Sequence, residues 1–186
     1  MATPPDFSSG AVLTAAQMNG VGLWKVGAYT LSGVTTQFVG VFSSDFTNYL
    51  VKIDNFNNSS ATTRAITVQM LSGTTPATAN YTSNTVVQFG ASSLSGSGVA
   101  GSSMDITAVS TNANGAGSLE LEFFNPNNAL NTFVLIKSYT YQSNVTAFVH
   151  RNGSHIHGAA TAYNGFAISG VTDSLSGNVT IYGYRK

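Results

Sequence analysis

The chain has 186 residues, a length that fits one domain plus a short arm. Only 8% of them are charged, the formal net charge is zero and there is no cysteine. That excludes disulfides, leaves no basic patch to neutralise phosphates and so argues against nucleic acid as a partner, while the 42% hydrophobic content is too high for a disordered polar tract.

Residues 1–21 read as an N-terminal arm. Pro4-Pro5 favours an extended start, because proline fixes its own φ and restricts the residue before it. Thr14 and Gln17 have capping-box spacing, Leu13 and Met18 stand where a hydrophobic staple would, and Ala15 and Ala16 are good helix formers. With Asn19-Gly20 as a stop, one helical turn is expected over residues 15–19. The arm is either an ordinary terminus packed on its own domain or an anchor docked on another protein. The opening MATPPDFSSGAVLTAAQ has no basic stretch ahead of an apolar core, so no signal peptide is expected. No apolar run approaches the ~20 residues that span a bilayer, so no membrane partner is expected either.

From residue 22 onward, strand signals recur between Gly/Ser/Asn clusters, at 23–31, 37–42, 47–54, 64–71, 85–89, 104–109, 118–124, 132–141, 145–151, 159–163, 166–168 and 178–184. Ile66, Val68 and Met70 alternate with Ala65, Thr67 and Gln69, and Leu119, Leu121 and Phe123 alternate with Glu120, Glu122 and Phe124. A period of two marks a half-buried strand, and many short strands with polar turns indicate a β-sandwich or barrel. Residues 90–103 and 110–117 read as long polar loops. The run Phe133 to Ile136 is apolar on both faces. One face meets a core, and Phe133 and Leu135 on the other are candidates for packing against a neighbouring subunit.

Local motifs give little chemistry. GSGVAG at 96–101 fits a dinucleotide-binding pattern, but the residues after it read as loop and strand where a helix is required. Glu120 and Glu122, at i and i+2, share the polar face of one strand, whereas a glycosidase pair faces across a cleft. No nucleophile elbow is present, so no enzyme, catalytic residue or cofactor is expected. His155 and His157 share a face and are the right residue type for a metal, but Asn152-Gly153 beside them signals a hairpin, which is the preferred reading. Trp24, Tyr139 and Tyr141 are read as packing residues that also have the chemistry to stack on sugars. The six Asn-x-Ser/Thr matches carry no weight in a chain this rich in Asn, Ser and Thr.

Three stretches carry a resemblance. FSSGAVLTAAQMN is similar to an N-terminal segment common among tailed-phage virion proteins, FSSDFTNYLVKIDNFNNSSATTRAITVQML to the block that follows it there, with Arg64 as an outward basic residue, and GNVTIYGYRK to their closing strand. Together they cover about a third of the chain. The family comprises head fibres, capsid decoration or cement proteins, and tail-fibre-like proteins. The resemblance implies an antiparallel jelly-roll-like sandwich over residues 22–186, a homotrimer, and attachment to the major capsid protein or another virion protein. Leu13, Met18 and Trp24 would be the apolar anchors of the arm. It implies a structural role in the virion, with the protein made in the host cytoplasm. Two alternatives stand beside it: a tail-fibre tip that recognises a host surface glycan, and a carbohydrate-binding module.

Overall fold

The computed structural model describes residues 22–89, 93–109, 117–143, 146–170 and 172–184, with backbone alone at 89 and 93–100. The described residues form an all-β sandwich of two antiparallel sheets. The larger sheet has eight strands in the spatial order β1 (Trp24–Leu31), β13 (Leu175–Tyr184), β3 (Asn48–Asn58), β9 (Gly117–Phe124), β10 (Thr132–Gln142), β11 (Ala147–His157), β6 (Tyr81–Phe89) and β7 (Ser93–Gly101). The smaller sheet runs β2 (Thr35–Val39), β12 (Gly165–Ser169) and β4 (Arg64–Ser72), with β5 (Thr75–Pro76) and β8 (Met104–Val109) sharing the far side of β4. The expected arm with its helical turn lies outside the described residues.

The alternation that marks the strands also places their side chains. In β4, Ile66, Val68 and Met70 are fully buried. In β9, Leu119, Leu121 and Phe123 are buried, while Glu120, Glu122 and Phe124 face the other way. The two sheets meet across an aromatic cluster. Phe42 packs 4.7 Å from Tyr49 and 5.2 Å from Phe123, while Phe166 from the smaller sheet lies 5.0 Å from Phe123 and 4.8 Å from Phe38. Offset and tilted ring pairs at such distances add ~0.5–1.5 kcal/mol each beyond the area they bury. Buried tyrosine hydroxyls tie loops and strands to this core. Tyr81 accepts the Met70 N–H at 2.8 Å and donates to the Ala77 carbonyl at 3.1 Å, and Tyr49 does the same with the backbone of Ser43.

Under the C-terminal half of β10 the interior is polar. Ser138 donates to Thr107 at 3.0 Å, Thr107 and Thr140 lie 3.2 Å apart, and Thr140 donates to the Ala108 carbonyl at 2.7 Å. Gln142 donates to the same carbonyl. These buried groups are tolerated because each finds a partner.

The structure changes several sequence expectations. Residues 93–101, expected as loop, form β7, whose backbone pairs with β6 along its whole length, from Tyr81↔Gly101 to Phe89↔Ser93. Residues 159–163 are irregular, held by bonds such as Tyr163 N–H to the Pro126 carbonyl. Asn152-Gly153 does not turn. It lies mid-strand in β11, where a Cβ on Gly153 would meet the Thr85 methyl at 2.6 Å. The glycine serves close packing between β11 and β6, which the dipeptide alone does not reveal.

Candidate interaction surface

The inner face of the eight-stranded sheet is spent on the core, so its outer face is the largest regular surface available. Cross-strand register fixes what stands there. Phe133 of β10 lies opposite Phe124 of β9 on one side and Ile156 of β11 on the other, and Leu135 follows two residues along β10. Phe133 and Leu135 are each 45% exposed, and Ile156 is also exposed. They form an apolar row across three neighbouring strands. Val134 and Ile136, alternating with them, are buried. The run expected to be apolar on both faces is so, and Phe133 and Leu135 occupy the solvent side.

Further along the same strands the surface becomes polar. Glu120 sits between Lys52 of β3 and Lys137 of β10, 3.9 Å and 3.8 Å away. Exposed pairs of this kind contribute little to stability, ~0–1 kcal/mol. Beyond them is a depression of about 190 Å³ walled by Lys52, Asp54, Ser118, Glu120, Lys137 and Tyr139. Its shape has two local causes. β3 bulges between Ile53 and Phe56, with Asn55 at φ 55°, which opens the sheet surface beside Asp54. Tyr139 pairs with the small Ser118 on one side and stacks on His150 at 4.7 Å on the other, so one ring face is backed and the other overlooks the hollow. Tyr139 is 55% exposed. Glu122, on the same face as Glu120, accepts a hydrogen bond from the Tyr184 hydroxyl, and burial, followed by this contact, raises the Tyr184 pKa.

The two histidines singled out from the sequence stand elsewhere. His155 and His157 do share a face, but it is the inner one, and each is buried. The Nδ1 of His155 lies 2.7 Å from the Ser83 hydroxyl, and its Nε2 has no hydrogen-bond partner among the described residues. Burial pushes its pKa down to about 4. His157 is wedged edge-on between Tyr81 and Tyr163, 4.4 Å and 5.0 Å away, and burial lowers its pKa too. The polar hairpin expected here is therefore a buried strand end. Nearby, Arg151 faces Asp105 of the opposite sheet at 3.6 Å, an ion pair too long for a hydrogen bond. Desolvation lowers the Arg151 pKa and raises that of Asp105, each opposed by the partner's charge. Among the described residues no three His, Cys, Asp or Glu side chains converge on a point where a metal would sit.

Of the other residues singled out from sequence, Trp24 opens β1 and is 40% exposed, while Leu13 and Met18 lie outside the described residues. GSGVAG lies within β7, an edge strand, and does not open a helix. Lys52, Asp54 and Ser118 drew no attention in the sequence. They come from strands far apart in the chain, and no local pattern joins them. No protein-family model matches the chain, and no curated protein matches it.

Proposed function

We propose that the protein is a structural component of a tailed-phage virion, a capsid decoration or head-fibre protein that assembles through its sheet face and attaches through its N-terminal arm. The observation that carries the assembly part is the apolar row of Phe133, Ile156 and Leu135 on the outer face of the larger sheet. Complete burial of such a side chain is worth ~1.5–3 kcal/mol, so covering the exposed half of each yields ~1 kcal/mol. One such contact is weak. Repeated around a homotrimer, and linked to attachment at several points on a shell, it becomes strong through effective concentration.

The attachment part rests on the resemblance of the FSSGAVLTAAQMN segment and on the position of β1 in the sheet. β1 starts at Trp24, paired with Gly183, at the end of the sheet that carries the Phe124–Phe133–Ile156 row. The low-charge surface also suits a protein whose working state is an assembly.

Deleting residues 1–20 tests the reading. The shortened protein is expected to keep its β-sheet circular dichroism and lose incorporation into particles, scored by electron microscopy and gel analysis of purified virions. Normal incorporation of the shortened protein would overturn it.

A further inference from the structure

We propose that the depression beside Tyr139 is a binding site for a single neutral pyranose ring, such as a terminal sugar of a surface glycan. The proposal does not depend on where in a virion the protein sits.

The walls have the chemistry that pyranose recognition needs. A sugar ring presents a C–H face that packs on an aromatic ring and a rim of hydroxyls that both donate and accept hydrogen bonds. Tyr139 supplies a ring held upright by its stack on His150, with the free face toward the hollow. Ser118 opposite it is small enough to leave room for a ligand against that face. Around the rim stand two ammonium donors, Lys52 and Lys137, and two carboxylate acceptors, Glu120 and Asp54. Glu120 is engaged by both lysines, whereas Asp54 has no ion pair among the described residues and keeps its acceptor capacity. Two positive and two negative groups sum to zero, which favours a neutral sugar over a sialic acid or a phosphate.

Size and position agree. A volume of about 190 Å³ is below the ~300–1,000 Å³ of pockets that enclose larger organic ligands, so one ring fits and an oligosaccharide would extend outward. Tyr139 is six residues along β10 from Phe133, ~20 Å at the strand rise. A subunit contact centred on Phe133 and Ile156 therefore lies away from Tyr139, while Leu135 at the near end of the row is two residues from Lys137 in the wall.

The test is saturation-transfer NMR on the full chain with methyl β-galactopyranoside, methyl α-glucopyranoside and methyl α-mannopyranoside as probes. At least one should receive saturation, strongest at the ring C–H protons that face Tyr139. Tyr139→Ala should weaken the signal up to about tenfold, the scale of one lost aromatic contact, while Tyr139→Phe retains it. Ser118→Trp, which fills the hollow from an exposed position, should abolish it, and Asp54→Ala should reduce it independently of stacking. No transfer to any of the three probes would overturn the proposal, as would undiminished transfer in Ser118→Trp or equal transfer to a methyl sialoside. Sedimentation gives a further arm: if Ser118→Trp and Tyr139→Ala dissociate an oligomer, the depression is a subunit contact and not a sugar site.

Discussion

Acidification should destabilise this protein through His155. The side chain is 1% exposed, and its pKa is pushed down by burial to about 4, against ~6.5 in an unfolded chain. The unfolded state therefore binds the proton more readily. Stability is fully present above pH ~6.5, is lost as pH falls from there to about 4, and levels off below that. The gap between the two values, at ~1.4 kcal/mol per pH unit, amounts to ~3 kcal/mol. With a urea slope of ~2 kcal/mol/M, the unfolding midpoint should drop by ~1.5 M between pH 7 and pH 4. His157, whose pKa burial also lowers, adds to the loss. Asp105 acts in the opposite sense, because burial raises its pKa and the folded state takes up that proton first. The measurement is therefore a comparison. His155→Gln removes one titrating group and leaves the others, so its midpoint should fall much less over the same window. If the variant and the parent lose the same stability between pH 7 and pH 4, the burial argument for His155 is wrong.

Three further outcomes are expected. Tyr81→Phe removes the hydroxyl that satisfies the buried Met70 N–H and the Ala77 carbonyl, and should cost ~1–3 kcal/mol in urea titration. Gly165→Ala should cost as much or more, because the new methyl would press on the Phe38 carbonyl across the β12–β2 pairing; a variant with the parental thermal midpoint would contradict that packing. Replacing Phe133 and Leu135 together by Ser should leave monomer stability within ~0.5 kcal/mol per site while weakening self-association in sedimentation, and unchanged association would remove the apolar row from the assembly.

The fold class was legible because strand periodicity is written directly in side-chain type. Where the inner and outer residues of β4 and β9 differ in polarity, alternation alone sorted them onto the two faces, and the apolar run at Phe133–Ile136 announced a second exposed apolar surface; in β10 the buried side holds Ser138, Thr140 and Gln142 while Tyr139 is exposed, so polarity gave no such sorting there. Reading failed where side chains carry no such signal. β7 is made largely of Gly, Ser and Ala, and its strand conformation comes from backbone pairing with β6, which only the assembled sheet supplies. Asn152-Gly153 looked like a turn because the dipeptide suits one, yet close packing against Thr85 holds it extended. His155 and His157 were correctly placed on one face, but whether that face is wet or dry depends on what the other strands lay against it.

The candidate site has the same history. Its rim residues lie on β3, β9 and β10, joined by cross-strand register and shaped by a bulge in β3. Sequence by itself determined that this chain alternates, folds as sheets and carries little charge, because those properties belong to each segment alone. Tertiary structure decided which strands are neighbours, which polar groups are dry and where the surface is hollow, because those properties exist only between segments.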